Sequence, residues 1–266
     1  MATITSLVDT TTTTNQGKSG DTLHIIGTGL GTTTRVNFGS TTVTSGLTVT
    51  ATQVSLTIPS AQCAGQVSVS VTSSTNVTSN ALPFFLIAAP SVTGVGTGCG
   101  PAAGGGSVTL YGTNFLTGTG ITVGGTPVTP TPTFSSASQV TFTTPAHTMV
   151  NPCVDTVDVV ITTFGGASPP AGNLSQFSYY SAPAITSLVP ATGTADDEIV
   201  VNGSCFINVS VVDFSDGVNT IPAASVSVLG DGQLVATVPA GLTAGPGTVT
   251  VTTCGGPSNA QAFTIT

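Results

Sequence analysis

An ordered set of sequence landmarks occurs three times along the chain, and this repeat constrains the fold more than any other feature. The segment ITSLV at residues 4–8 recurs at residues 185–189, and a weaker copy, VTGV, lies at residues 92–95. A glycine motif follows each copy, at residues 27–30, 112–115 and 203–206. Repeat lengths of about 80 to 95 residues exceed a solenoid unit and approach one immunoglobulin-like sandwich. The sequence therefore predicts three tandem domains.

Apolar and polar residues alternate along most of the chain. Runs such as VSVSV at 67–71, VTL at 108–110 and VTV at 249–251 put β-branched residues on one face and small polar residues on the other. Glycine, proline, asparagine and aspartate punctuate these runs about every ten residues, which is typical of all-β sandwiches. No stretch shows the apolar period of an amphipathic helix. We therefore expect an all-β protein without significant helix.

The repeat also predicts the domain boundaries. We place domain 1 at residues 1–88, domain 2 at 89–181 and domain 3 at 182–266. The junctions contain Ala-Pro, at residues 89–90 and 182–183. Because proline fixes its own φ and biases the preceding residue towards extended backbone, we expect both junctions to be short and stiff.

Charged residues are scarce, and this scarcity excludes two classes of partner. Lys18 and Arg35 are the only basic residues besides two histidines, and the formal net charge is −8. Binding to nucleic acid or to an anionic membrane surface needs clustered lysine and arginine. The longest weakly polar stretch, residues 81–90, has ten residues, whereas a transmembrane helix needs about 20. We expect neither nucleic-acid binding nor membrane insertion.

Longer motifs in each repeat resemble those of a known family. Repeat three carries ITSLVP at 185–190, VVNGSCF at 200–206 and VTVTTCGGPS at 249–258, and repeat two carries ITTFGGAS at 161–168. These motifs resemble the IPT/TIG immunoglobulin-like domains. Repeat one departs most, because Asp9 and five threonines replace the proline and short glycine loop of the family. The resemblance implies a tandem array of immunoglobulin-like β-sandwiches.

The resemblance also implies a pairing of the cysteines. In an immunoglobulin-like sandwich the A–B and E–F loops share one end, and the B–C and F–G loops share the other. This placement implies disulfides joining Cys99 with Cys153 in repeat two and Cys205 with Cys254 in repeat three. Cys63 is left over, either unpaired or bonded to another chain. The alternative is that all five cysteines are reduced, whereas disulfides would indicate an oxidising compartment.

Few side chains suggest catalysis or metal binding. His24 and His147 fall in different repeats, no serine lies in a Gly-x-Ser-x-Gly motif, and no phosphate-binding loop occurs. We expect neither enzyme activity nor a cofactor. Calcium needs six to eight oxygen ligands, so the acidic residues of repeat three are only weak candidates for a metal site. They are Asp196, Asp197, Glu198, Asp213 and Asp216.

Taken with the neutral serine- and threonine-rich strands, these observations favour a non-enzymatic structural subunit. We expect it in an extracellular or virion-surface assembly, as a phage virion or decoration protein or a subunit of a bacterial surface filament. Its partners would be further copies of itself or other proteins of the same particle. The alternative is an adhesin or a glycan- or receptor-binding module on a cell surface.

Overall fold

The computed structural model describes residues 1–60, 64–116, 118–134 and 136–266, and it consists of three β-sandwiches in a row. Within these residues the helical segments are two short 3₁₀ turns, Leu30–Thr32 and Gly172–Ser175. None of the described helices is long and apolar enough to cross a membrane. The predicted all-β, immunoglobulin-like architecture is confirmed.

Domain 1 contains the strands that open the chain. They are β1 (Thr3–Asp9), β2 (Gln16–Gly17), β3 (Thr22–Thr28), β4 (Thr33–Phe38), β5 (Thr41–Val43), β6 (Thr48–Val49), β7 (Gln53–Thr57), β8 (Gly65–Ser73) and β9 (Leu82–Leu86). One sheet has the order β1-β3-β7-β6, and the other has the order β2-β9-β8-β4-β5.

Domain 2 repeats this plan. Its strands are β10 (Ser91–Val95), β11 (Cys99–Pro101), β12 (Ser107–Thr113), β13 (Gly118–Val123), β14 (Thr126–Pro127), β15 (Gln139–Thr143), β16 (Val154–Thr163), β17 (Gly166–Ala167) and β18 (Gln176–Tyr180). The sheets have the orders β10-β12-β15 and β11-β18-β16-β13-β14, and β17 pairs with β16.

Domain 3 has the same plan and a longer edge strand. Its strands are β19 (Ala184–Val189), β20 (Thr192–Gly193), β21 (Glu198–Ser204), β22 (Val211–Ser215), β23 (Thr220–Pro222), β24 (Ser225–Gly230), β25 (Gln233–Thr237), β26 (Gly245–Thr253), β27 (Gly256–Pro257) and β28 (Gln261–Ile265). The sheets have the orders β19-β21-β25-β24 and β20-β28-β26-β22-β23, and β27 pairs with β26.

In every domain the first segment crosses from one sheet to the other. β1 pairs antiparallel with β3, and β2 then pairs in parallel with β9 in the opposite sheet. The same crossing occurs from β10 to β11 and from β19 to β20. Because of this crossing, Cys99 begins a strand that lies beside β18, at the end of domain 2 from which the chain leaves.

Each sandwich has its own hydrophobic core. The buried side chains form three separate clusters, one for each domain. Aromatic pairs contribute to the cores, for example Phe38 with Phe84 in domain 1 and Phe214 with Phe263 in domain 3, at ring-centroid distances of 5.7 and 5.5 Å. Separate cores show that the three sandwiches are distinct domains.

The glycine motif of each repeat has a steric cause. A Cβ at Gly27, Gly112 or Gly203 would lie 2.0 Å from a carbonyl oxygen of the first strand. No side chain fits there, so β3, β12 and β21 can pair closely with the first strands of their domains only through glycine. This close approach explains why the motif recurs at the same place in all three domains.

The departure of repeat one has a local explanation as well. Asp9 is fully buried at the end of β1. Its Oδ1 accepts hydrogen bonds from the backbone N–H groups of Thr11 and Thr12, at 2.9 and 2.8 Å. The carboxylate thereby satisfies backbone groups of the threonine loop that leads into β2.

Candidate functional site: the joints between domains

The joint between domains 2 and 3 contains a short linker, and a turn of domain 3 packs tightly against this linker. Residues 181–183 connect β18 to β19. The turn between β26 and β27 brings Gly255 so close that a Cβ would lie 2.1 Å from the Ser181 carbonyl oxygen. From the domain 2 side, Ser181 donates its N–H to the Cys153 carbonyl (3.0 Å) and its hydroxyl to the Pro152 carbonyl (2.8 Å). Both domains therefore hold the linker.

Two disulfides cross this joint. Cys99 of domain 2 is bonded to Cys254 of domain 3, with a Cα–Cα distance of 5.9 Å. Cys153 of domain 2 is bonded to Cys205 of domain 3, with a Cα–Cα distance of 5.1 Å. Both distances lie in the usual range for disulfides, about 4.4 to 6.8 Å. Domains 2 and 3 are therefore covalently linked at two points besides the chain itself.

The expected pairing of Cys99 with Cys153 and of Cys205 with Cys254 is wrong. Each pair does lie on one domain, but the cysteine-bearing end of domain 2 faces the cysteine-bearing end of domain 3. Each of these four cysteines therefore bonds across the joint instead of within its own domain. Sequence reasoning had one usable signal for this, namely a linker too short to separate the two ends. Cys63 lies outside the described residues.

A polar contact accompanies the disulfides. The Asn208 side-chain amide donates to the Tyr180 hydroxyl oxygen at 2.7 Å, linking the loop after β21 to the last strand of domain 2. Tyr180 is 8% exposed, so this hydrogen bond satisfies a hydroxyl that the joint removes from water. The joint is closed by covalent, polar and steric contacts together.

The loop that carries Cys153 is held in shape by a buried carboxylate. Asp155 accepts hydrogen bonds from the backbone N–H groups of Val150 (2.6 Å) and Asn151 (2.9 Å). These two bonds hold the pKa of Asp155 well below its usual range, and His147, whose Nε2 lies 3.0 Å from the carboxylate, adds to the effect. Asp155 therefore anchors the loop that positions the cysteine.

His147 has a structural environment. Its ring stacks on Tyr179 at a centroid distance of 4.7 Å. Burial raises the pKa of Tyr179 to about 12, and the tyrosine hydroxyl donates to the Pro145 carbonyl at 2.8 Å. His24 lies in β3 of domain 1, so the structure does not bring the two histidines together. In the described part of the chain no hydroxyl is hydrogen-bonded to His147, whose ring contacts the Asp155 carboxylate and Tyr179.

The joint between domains 1 and 2 has the same close packing of a glycine turn against the linker. The turn between β16 and β17 brings Gly165 against the linker, and a Cβ there would lie 2.1 Å from the Ala88 carbonyl oxygen. The Asn114 side-chain amide donates to the Ala89 carbonyl at 3.1 Å. Asn114, which follows β12, has a positive φ of 62°, close to the 60° of Cys205, which holds the equivalent place after β21 in domain 3. The two joints are therefore built on one plan.

The joints differ in their cross-links. Gln16 pairs with β9 as Cys99 pairs with β18, so it occupies the position of that cysteine. Phe164 precedes Gly165, the glycine that packs against the linker, and it occupies the position of Cys254. No disulfide between described residues joins domains 1 and 2. In its place the joint has an open cleft of about 310 Å³, lined in part by Gln16, Phe85, Asn114 and Leu116.

Two of the acidic metal candidates accept hydrogen bonds from the backbone of domain 3. The candidates are Asp196, Asp197, Glu198, Asp213 and Asp216. Asp197 accepts a hydrogen bond from the backbone N–H of Thr194 at 2.8 Å. Asp216 accepts backbone N–H bonds from Asn219 and Thr243 at 2.6 and 2.9 Å, and these bonds hold its pKa well below the usual range. Within the described residues no three of them form a metal-binding group.

These features define a class of protein, an all-β chain of tandem immunoglobulin-like sandwiches with one disulfide-locked joint. The chain belongs to the IPT/TIG domain family, whose domain matches residues 2–85, 90–179 and 183–265. The family resemblance of the three repeats is therefore confirmed over nearly the whole sequence.

Several solved structures are similar to the chain at low identity. A crystal structure described as "with xylogluco-oligosaccharide" is 18% identical, with a TM-score of 0.43 and coverage of 99% of this chain and 60% of the other. The full extracellular region of plexin A4 is 17% identical, with a TM-score of 0.39 and coverage of 90% and 21%. SGBP-B from a complex xyloglucan utilization locus in Bacteroides uniformis is 16% identical, with a TM-score of 0.33 and full coverage of both chains. None of the curated proteins matches the chain.

The first two of these structures are much longer than this chain. The chain spans 60% of the first and about a fifth of the plexin region. At such identities the likeness concerns the fold alone.

Proposed function

We propose that the chain is a non-enzymatic surface module, in which domains 2 and 3 form one rigid rod outside the cell. The observation that carries this proposal is the pair of disulfides across a single joint, Cys99–Cys254 and Cys153–Cys205. The linker and the two cross-links connect the domains at three separate places, which prevents rotation of one domain relative to the other. Disulfides of this kind belong to oxidising compartments, and they support an extracellular or cell-surface location.

Within this role we favour recognition, as an adhesin or a glycan- or receptor-binding module, over a virion or filament subunit. The cleft between domains 1 and 2 supports this choice. Phe85 is 40% exposed there and presents an apolar ring, and the side chains of Gln16 and Asn114 supply amide groups beside it. A sugar presents apolar C–H faces and hydroxyl edges, which fit an aromatic ring bordered by amides.

Binding to defined oligosaccharides tests this proposal. The names of the similar structures suggest the first ligands, xyloglucan and mixed-linkage glucan oligosaccharides. In titration calorimetry we expect binding that Phe85→Ala weakens about tenfold or more, corresponding to about 1.4 kcal/mol. Tyr111→Ala is the matched control, because Tyr111 is a similarly exposed aromatic residue that does not line the cleft. The absence of binding to these ligands and across a broad glycan array would remove the recognition role.

The structural-subunit role remains the second candidate, and a specific observation favours it. Domain 3 ends one of its sheets with an exposed strand, β24, that carries no charged residue. Electron microscopy of the protein from its native source tests this role. Ordered particles or filaments containing the chain would support it, whereas dispersed single molecules would argue against it.

A further inference from the structure

The strand β24 (Ser225–Gly230) is exposed along its whole length. All six of its residues are exposed, although three are large and apolar. Val226, Val228 and Leu229 have exposed fractions of 39%, 46% and 61%. The strand is the last in the sheet β19-β21-β25-β24, so no strand of the described residues lies along one edge of its backbone.

The corresponding edges of the other domains are different. In domain 1 the sheet ends in β6, which has two residues. In domain 2 it ends in β15, where Val140 and Phe142 point into the core and alternate with exposed residues. Among the described residues, a long edge strand with exposed apolar residues therefore occurs at this sheet edge of domain 3 and not at those of domains 1 and 2.

Proteins usually protect an exposed edge strand. Charges, proline, very short strands and bulges prevent another strand from adding to the sheet. β24 has neither charge nor proline within its six residues. Its only irregularity is a register shift between Val228 and Gly230 at the end of the strand, and Asp231 follows in the turn. Most of the strand is therefore free to pair.

We propose that β24 is a self-association edge that pairs antiparallel with β24 of a second copy of this chain. With the two-fold axis at Ser227, Val226 of each copy lies opposite Val228 of the other, and Ser227 lies opposite itself. Four valines then form one apolar patch on a face of the joined sheet. The paired sheets make a continuous sheet of about eight strands, within the usual range. This inference goes beyond the recognition role and does not depend on it.

The charges and the symmetry favour a second copy over another partner. The six residues of β24 are uncharged, so the pairing brings no like charges into contact. Asp231 lies in the turn beyond the register shift, outside the residues that pair around Ser227, so the carboxylates of the two copies do not meet at the axis. A segment that is complementary to itself under a two-fold axis is what a closed dimer requires.

The position of Ser227 on the two-fold axis makes a sharp experiment possible. Sedimentation equilibrium is measured in a Cys63→Ser background, which excludes dimers linked through that thiol. We expect the parent protein to show a monomer–dimer equilibrium. Ser227→Lys and Ser227→Asp should each be monomeric at the same concentrations, because like charges then meet at the axis. An equimolar mixture of the two variants should dimerise again through opposite charges.

The control is Thr141→Lys, which adds the same charge to an exposed position of the edge strand β15. It should leave the equilibrium unchanged, and circular dichroism should show that all variants keep their β-structure. Three results would overturn the proposal: a parent protein that is monomeric at every concentration, a Ser227→Lys variant that dimerises like the parent, or a mixture that stays monomeric.

Discussion

Cys254, in the turn between β26 and β27 of domain 3, is bonded to Cys99, the first residue of β11 in domain 2, across 155 residues of sequence. The bond lies beside the place where Gly255 packs against the linker. In the corresponding turn of domain 2, Gly165 packs against the preceding linker, and Phe164 stands in place of the cysteine. One joint is thus locked and the other is held by non-covalent contacts alone among the described residues.

Removing the second disulfide should weaken the locked joint. The double variant Cys153→Ser, Cys205→Ser opens a cross-link with a sequence separation of 52 residues. Because a cross-link restricts the unfolded chain, its loss should lower the free energy of unfolding by about 2 to 4 kcal/mol. Denaturant titration measures this change. Replacing both cysteines together leaves neither partner of this cross-link as a free thiol, and an unchanged unfolding free energy would contradict the assigned cross-link.

The close packing of the domain 2 turn against the first linker should depend on a glycine. A Cβ at Gly165 meets the Ala88 carbonyl oxygen at 2.1 Å, so Gly165→Ala should force the turn away from the linker. We expect faster proteolysis near residues 87–90 and a larger radius of gyration by X-ray scattering. Gly120→Ala is the control, because a Cβ there meets nothing within 4 Å. Equal proteolysis rates and radii of gyration for the two variants would contradict the steric contact between Gly165 and the linker.

The shared plan of the joints predicts that a disulfide can be moved from one to the other. Gln16 and Phe164 occupy the positions of Cys99 and Cys254, so the double variant Gln16→Cys, Phe164→Cys should form a new disulfide. In a Cys63→Ser background, thiol titration of the unfolded, unreduced protein should find no free thiol. Two free thiols per chain would show that the joints are not equivalent.

The anchoring role of Asp155 predicts a dependence of stability on pH. Backbone N–H bonds lower the pKa of this carboxyl in the folded protein from its ordinary value of 3.8. The stabilisation is therefore complete above that value and is lost as the pH falls through the lower folded pKa. Unfolding free energy should decrease from about pH 5 to about pH 2, and Asp155→Asn should flatten part of this decrease.

Asp216 supplies a matched comparison in domain 3, where backbone N–H groups also lower the pKa of its carboxyl. Asp216→Asn should flatten the acid profile as well, but only Asp155→Asn should loosen the loop that carries Cys153. Hydrogen exchange of the Val150 and Asn151 amides distinguishes the two variants. Unchanged exchange at these amides in Asp155→Asn would contradict the anchoring role.

The fold followed from the sequence because its landmarks have local causes. The motif glycines at 27, 112 and 203 each meet a backbone carbonyl, so the constraint is repeated wherever the strand pair is repeated. The cysteine pairing had no such local cause. The pairing depends on how the end of domain 2 faces domain 3. That arrangement is set by the packing of Gly255 against the linker. The role of Asp155 was equally hidden, because its partners Val150 and Asn151 contribute backbone groups that no motif marks.

Mass spectrometry of peptides from the unreduced protein tests the locked joint most directly. Digestion under conditions that prevent thiol exchange should yield disulfide-linked peptides containing Cys99 with Cys254 and Cys153 with Cys205. Both links join domain 2 to domain 3, and reduction should release all four peptides. Linked peptides containing Cys99 with Cys153 and Cys205 with Cys254 would instead place both bonds within single domains and contradict the rigid rod.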